Sequence, residues 1–315
     1  MIFIALLMFR QPILKPVLEV GVADNIYHLA ALAVEGDRFY LLDEESGTLA
    51  IIDRRGTPIA KAGSKGQGPG EFVIPRAIAS GDSKVFVSDY GKMVVHDASL
   101  NYLYSFPIPN NPRSMVYHKG LLYLGTTAFP DGKKGVHVYD VGGNAMGKFY
   151  DHGLDPAKLA MPMLTKDSDG RLFVLAAIGY SLSILDDQGN PIQPFTPKPS
   201  PLFKTYVPPE PFTKKYGLTM ASYKKWMSNW SEPEACAIVE DQYLVLCFKN
   251  LAEDLITSEY FIEVYDLVQD KKIISWKQMP GPLRAGGGLA YFSEDAVSDS
   301  DYVDKIVGYK IESSN

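Results

Sequence analysis

Residues 75–108 read PRAIASGDSKVFVSDYGKMVVHDASLNYLYSFPI. Four short apolar segments stand in that stretch: PRAIAS, KVFVSD, KMVVHD and LYSFPI. Each is rich in β-branched or aromatic residues, which fit a pleated surface, and a polar turn such as GDS separates the first two. The third segment ends on Asp97. Aspartates close matching segments at Asp53 (LAIID), Asp140 (VHVYD), Asp186 (LSILD) and Asp266 (FIEVYD). The successive steps are 44, 43, 46 and 80 residues, and the last falls to 45 once residues 198–232 are set aside. A sixth copy, KIVGYK, ends at Lys310, 44 residues beyond Asp266.

Four strands repeated six times at this period predict an all-β fold, a six-bladed β-propeller of four-stranded antiparallel blades. The sixth copy has no fourth strand of its own, whereas residues 12–21 (PILKPVLEVG) supply a spare one ahead of the first inner strand, near residues 26–34. The N-terminal strand is therefore expected to join the last blade and close the ring, removing a free sheet edge. Residues 1–315 read as one propeller domain, with residues 198–232 an insertion between blades four and five.

The repeated aspartates are expected to be structural. Asp53, Asp140 and Asp186 are each followed by glycine three positions on, at Gly56, Gly143 and Gly189. An aspartate can accept backbone N–H groups from the turn it starts, and glycine supplies positive φ there.

Composition narrows the partners. Apolar residues make up 46% of the chain, ample for a core, and 31 basic against 37 acidic residues give a net charge of −6. That balance lacks the basic stripe that nucleic acid needs. The apolar run at residues 2–9 is too short to span a bilayer, so no integral span is expected. It reads either as a signal-peptide remnant or as a hydrophobic strand. No cysteine near it offers a site for a lipid, so membrane association would need a signal or lipid anchor lying upstream.

Residues 63–72, GSKGQGPGEF, raise the question of a phosphate loop. Such a loop runs from a buried strand into a helix and ends in Gly-Lys-Ser/Thr. Here GEFVIPRAIAS follows, which starts no helix, so the loop is read as a blade connector. GSKGQGPGEFVIPRAIA followed by KVFVSDYGKMVVHD resembles bacterial six-bladed propellers of the NHL-repeat and TolB-like kind, in which G-x-G-P-G-E-F…P precedes a blade in the same way. The motif covers roughly 35 residues, and the blade pattern nearly the whole chain. The resemblance implies the fold and an exported protein, periplasmic or at the cell surface. A cytoplasmic protein is the alternative.

In a propeller, turns between first and second strands share a face with those between third and fourth. The remaining connections share the other face, and here they hold all the long segments, around residues 63–72, 125–135, 198–232, 249–259 and 294–304. Long loops on a rigid scaffold are where function concentrates. At that face Pro75-Arg76, Pro112-Arg113 and Pro282–Arg284 begin inner strands, with Pro233-Glu234 a looser match. Arg76, Arg113 and Arg284 are candidates for holding a carboxylate, sulfate or phosphate, with Glu71 and Glu234 as their possible internal counter-charges. In the insertion, residues 219–230 suggest a short helix. Trp226 on its apolar stripe either packs on the rim or meets a sugar ring or a partner.

Catalytic and metal patterns are missing from the sequence. The histidines, His28, His96, His118, His137 and His152, have no ligand spacing and are expected at the surface or within blades. No G-x-S-x-G elbow occurs, and Asp299, Asp301 and Asp304 lack the glycine and distal glutamate of a calcium loop. No cofactor is expected. A two-residue turn at Asp241-Gln242 would set Cys236 opposite Cys247 across a hairpin, bridged in an oxidising compartment or, as preferred, present as buried free thiols. The function expected is that of a non-enzymatic binding or scaffold protein recognising a protein, a glycan or a small anion on the long-loop face. The alternative is a hydrolase or lyase acting on a sugar or lactone in the channel.

Overall fold

The computed structural model describes residues 13–21, 26–126, 134–151, 161–176, 180–193, 195, 197–205, 225, 228–252, 254, 257–279, 282–286, 288–295 and 303–312. Twenty-four strands form six four-stranded antiparallel sheets among these residues. Blade one is β2 (Leu29–Glu35), β3 (Arg38–Asp43), β4 (Thr48–Asp53) and β5 (Pro58–Ala62). Blade two is β6 (Ala77–Gly81), β7 (Lys84–Asp89), β8 (Lys92–Asp97) and β9 (Tyr102–Pro107). Blade three is β10 (Ser114–His118), β11 (Leu121–Gly125), β12 (Lys134–Asp140) and β13 (Ala145–Asp151). Blade four is β14 (Met163–Lys166), β15 (Leu172–Leu175), β16 (Leu182–Leu185) and β17 (Pro191–Gln193). Blade five is β18 (Glu232–Val239), β19 (Tyr243–Leu251), β20 (Ser258–Asp266) and β21 (Lys271–Met279). Blade six is β22 (Leu283–Gly286), β23 (Leu289–Asp295), β24 (Val303–Glu312) and, as its outer strand, β1 (Ile13–Gly21).

The closure is as expected. β1 runs antiparallel to β24 from Ile13 opposite Glu312 to Gly21 opposite Lys305, with one irregularity between Pro16 and Leu18. Proline is tolerated because β1 is an outer strand whose far side bonds to nothing in the sheet. Second and third strands are buried on both faces and so read as continuous apolar runs, such as Phe39–Leu42 and Met93–Val95. Outer strands alternate or are exposed.

The core is six separate apolar clusters, each between two neighbouring blades. Ala33, Leu42 and Leu49 meet Ile78, Val85 and Val87 between blades one and two. Val20, Ile26, Leu41 and Ile52 meet Tyr291 and Ile306 where the ring closes. Each blade is thus held by both neighbours.

The aspartate that closes the third strand starts a turn in five blades. Asp53 Oδ1 accepts the N–H groups of Arg55 and Thr57, and Asp97, Asp140, Asp186 and Asp266 do the same for their own turns. The glycine three residues on is fixed twice over. Gly143 has φ +90°, and a Cβ there would lie 2.5 Å from the ring of Phe106 in the outer strand of the preceding blade. Gly56 meets the end of β1 in the same way, with a Cβ 2.2 Å from the Gly21 carbonyl oxygen.

The hairpin register in blade five corrects one expectation. The turn has three residues, Glu240 to Gln242, with Glu240 and Asp241 at positive φ and Gln242 N–H closing onto Val239 O. Cys236 therefore stands opposite Leu246, and Cys247 opposite Ala235. The two thiols point to opposite faces of the sheet, Cys236 into the core with blade four and Cys247 into the core with blade six. Both are buried and free, and burial pushes both thiols up in pKa, Cys247 to about 12.

Of the insertion, residues 198–205, 225 and 228–232 are described; Trp226 and most of the expected helix lie outside the described residues, as do the N-terminal run and residues 299–302. The described ends of the insertion are pinned to blade five. Ser200 N–H donates to the buried carboxylate of Glu263, Tyr265 OH donates to Lys198 O, and Lys204 N–H donates to Ser231 Oγ.

Candidate functional site

The glycine loop is a connector. It joins β5 to β6, and Lys65 is consumed by its own surroundings, donating to the carbonyls of Glu44 at 2.5 Å and Val73 at 3.1 Å. Phe72 is wholly buried beneath the loop. Gly63 has φ +83°, and a Cβ there would stand 2.6 Å from the Phe72 ring. Glu71 folds back over Gly66 and Gly68 and accepts the Gly68 N–H at 2.8 Å. The loop thus closes on its own carboxylate, and Glu71 does not line the channel mouth.

The mouth itself is a cavity of about 250 Å³ lined by His28, Ala30, Glu44, Arg76, Arg113, Glu234, Lys249, Tyr260, Pro282 and Arg284. The three arginines and Glu234 predicted from the sequence converge there from four blades. The reason is topological. Arg76 and Arg113 immediately precede β6 and β10, and Arg284 lies in β22, so each stands at the top of an inner strand beside the axis. Reasoning from the sequence missed His28, Glu44, Lys249 and Tyr260. A signal existed for His28, which precedes β2 as Arg76 precedes β6. Glu44 and Lys249 sit at the ends of second strands, on the face already singled out by its long loops.

The charges are unequally matched. Arg113 reaches across from blade three to blade five. Its Nη1 donates to Glu232 at 3.2 Å, and its Nη2 to both oxygens of Glu234 at 3.3 Å. Lys249 Nζ lies 2.9 Å from Glu232 and 3.5 Å from Glu234. Burial opposes ionisation of Glu234, but Arg113, Lys249 and Arg284 outweigh it and hold its pKa below the usual carboxylate value. Burial likewise opposes the charge on Arg113 and Lys249, and the two glutamates outweigh it, raising both. This is a satisfied network.

Arg76 and Arg284 are not satisfied. The nearest carboxylate to Arg76 is Glu44, 3.9 Å from Nη2 and shared with His28 Nδ1 at 3.5 Å. Arg284 donates only to backbone carbonyls, from Nη1 to Leu283 O and from Nη2 to Leu29 O, both at 3.0 Å. No carboxylate among the described residues pairs with it. The Nε of Arg76 and of Arg284 are both enclosed and lack a hydrogen-bond partner. Burial lowers the pKa of Arg284, partly offset by Glu234, yet a guanidinium keeps its charge in any protein. Among the residues lining the cavity, four cations, Arg76, Arg113, Lys249 and Arg284, meet two carboxylates, Glu44 and Glu234, with Glu232 and Asp43 set behind them. A smaller cavity of about 110 Å³ adjoins the mouth and shares Arg113, Glu234 and Arg284 with it, with Ala31, Ile78, Met115, Met163 and Leu164 also in its wall.

His28 is the titratable group of the mouth. Its contact with Glu44 raises the imidazole pKa, against the effect of burial and of Arg284, and the same contact lowers Glu44. Among the described residues no cluster of side chains could hold a metal ion.

Fold and mouth together define the class, a six-bladed β-propeller with a charged channel mouth on its long-loop face. Residues 24–153 match the model of DUF5128, a family described as a six-bladed β-propeller. No curated protein matches the sequence. Among solved structures, a protein of Bacteroides fragilis named as a putative exported protein is 14% identical with a TM-score of 0.69, over 97% of this chain and 96% of that one. A DUF4221 protein of Bacteroides vulgatus is 13% identical with a TM-score of 0.69, over 97% and 100%. Virginiamycin B lyase of Staphylococcus aureus is 11% identical with a TM-score of 0.55, over 95% and 99%. These likenesses extend to the fold.

Proposed function

We propose that this propeller is a non-enzymatic binding protein that takes a small anionic ligand, a carboxylate or sulfate, at the channel mouth, and that it works outside the cytoplasm. One observation carries the reading: Arg284 holds a guanidinium at the mouth with no carboxylate partner among the described residues and an enclosed, unpartnered Nε. A bound anion would supply the missing acceptor and balance the cationic excess. The cavity of about 250 Å³ is below the usual range for drug-sized ligands, so the anionic part is small. Export is favoured by the name of the Bacteroides fragilis relative in fold and by the sequence resemblance.

The test is calorimetric titration with sulfate, glucuronate and galacturonate. Losing one charged hydrogen bond costs about 1.5–3 kcal/mol, roughly a 10- to 150-fold weaker Kd. Arg284→Gln and Arg76→Gln should each weaken binding by that order. Equal binding by wild type and both variants would refute the reading.

A second reading rests on the His28–Glu44 pair, a candidate general base and its orienting carboxylate facing the same cavity. On that reading the protein is a hydrolase or lyase acting on a sugar or lactone. Turnover of sugar lactones or unsaturated uronides, abolished in His28→Gln, would favour it over simple binding.

A further inference from the structure

A second and larger cavity, of about 500 Å³, lies on the other side of blade five, between the insertion and the ends of β19 and β20. Pro201, Leu202, Lys204 and Ser228 of the insertion form one wall, and Asn250, Leu251, Ala252, Glu259, Tyr260 and Phe261 the other. Successive residues of a strand point to opposite faces. Lys249 therefore serves the arginine mouth while Asn250, next in the chain, serves this cavity, and the two sites adjoin at Tyr260, which lines both.

Asn250 is the informative residue. It is only 6% exposed, and its hydrogen bonding is half complete. Ser231 Oγ accepts the Lys204 N–H at 2.8 Å and so has its own proton to give, which goes to Asn250 Oδ1 at 2.7 Å. The Nδ2 group, with two N–H donors, has no partner among the described residues, although Asn250 is itself a lining residue of the cavity. Those donors open onto the cavity, where a ligand oxygen can accept from them.

The other polar groups complete the description. Lys204 Nζ is tethered to Ser228 O at 3.2 Å, and Glu259 is exposed at the rim with acceptor oxygens. Among the described lining residues one cation, Lys204, and one anion, Glu259, balance each other, unlike the mouth. The cavity offers a pair of donors at one end and carboxylate acceptors at the other. A hydroxyl group both accepts and donates, so a ligand bearing several hydroxyls satisfies both ends at once. Leu202 and Tyr260, both part-exposed, supply apolar surface for a ring face. We infer that this cavity is a second binding site, independent of the arginine mouth, for an uncharged saccharide of one or two units, with Asn250 Nδ2 donating to a sugar oxygen and Glu259 accepting from a hydroxyl.

The experiment is a calorimetric titration of the full chain with glucose, galactose, mannose, N-acetylglucosamine, cellobiose and xylobiose. At least one should bind to wild type. Asn250→Asp keeps an acceptor for Ser231, removes the donors and adds a negative charge, and it should weaken that binding tenfold or more. Glu259→Gln, at an exposed position that the fold does not need, should weaken it severalfold, and Arg284→Gln should leave it unchanged. Melting curves matching wild type establish that each variant is folded. No binding by any of these sugars at 10 mM, on the order of the weakest useful carbohydrate affinities, overturns the inference. So does binding that Asn250→Asp and Glu259→Gln leave intact, or binding that is lost in Arg284→Gln, which would place the sugar in the mouth. Sugar binding without any anion binding would sink the proposed function and leave this site standing.

Discussion

His28 is where a single side chain couples the mouth to pH. Its pKa is raised in the fold by Glu44, and Arg284, Arg76, Asp43 and Lys65 are the other charges that bear on this pair. A raised histidine pKa gives stability that is fully present below the unfolded value, near 6.5, and is lost as pH rises through the folded value. Protonation also adds positive charge beside Arg76 and occupies Glu44, so anion affinity should rise as pH falls from about 8 to 6. The change should be modest, because the His28 side chain is 63% exposed and solvent screens it. His28→Gln should flatten the dependence, and an unchanged slope in the variant would show that another group titrates. Glycine gives a second test at this scale. Gly91 and Gly143 both have positive φ, but a Cβ at Gly91 meets open space and one at Gly143 meets the Phe106 ring at 2.5 Å. Gly91→Ala should cost about 1 kcal/mol for backbone strain alone, and Gly143→Ala about 2–4 kcal/mol once the overpacking is added. Chemical denaturation of the two variants separates the contributions. Equal losses would mean that Phe106 moves aside freely.

At the scale of the element, β1 is the strand on which the ring depends. It buries Leu14 and Val20, at 8% and 0% exposure, and covers the edge of β24. Burying two such side chains is worth about 3–6 kcal/mol. A chain of this size loses about 2–4 °C per kcal/mol, so deleting residues 1–21 should lower the melting temperature by on the order of 10 °C. The bared edge should also promote association, visible by light scattering. A truncated chain that melts with the full-length protein would mean that β1 contributes nothing to closure. The repeat that revealed the elements also set their ends, since the aspartate turns terminate third strands at regular spacing. The hairpin of blade five escaped that logic. A three-residue turn and a two-residue turn both suit the residues at 240–242, and a shift of one residue sends Cys236 and Cys247 to opposite faces.

At the scale of the molecule, an acidic protein is proposed to attract anions. The net charge of −6 opposes approach from a distance, and the cationic excess at the mouth acts only close in. Screening lengths fall from about 10 Å at 0.1 M salt to about 3 Å at 1 M. Sulfate and glucuronate affinity should therefore weaken steadily between low and high sodium chloride, with chloride also competing for the guanidinium groups. Binding of the uncharged sugars at the second cavity should stay constant over the same range. Anion affinity that ignores salt would argue that the ligand meets neither Arg76 nor Arg284. The ring makes such a site possible, because it brings Arg76, Arg113 and Arg284 to one axis although more than 200 residues separate the first from the last.

The blade count, the closure by β1 and the connector role of the glycine loop were legible in the chain as written. They depend on local pattern: alternation of apolar residues, aspartate-glycine turns and a fixed period, each of which constrains the backbone over a few residues. The convergence of Arg76, Arg113, Arg284 and Glu234 could also be anticipated, because equivalent positions in a closed ring must meet at the axis. Which of these charges pair could not. Arg113 spends its guanidinium on Glu232 and Glu234 two blades away, while Arg284 reaches only carbonyl oxygens. That division is set by side-chain reach across the channel to within an ångström or two, and the sequence pattern carries no information at that distance. Glu71 turned back onto the Gly68 N–H of its own loop for the same kind of reason. The half-satisfied amide of Asn250 likewise exists only because the insertion folds back and presents Ser231 to one of its two ends.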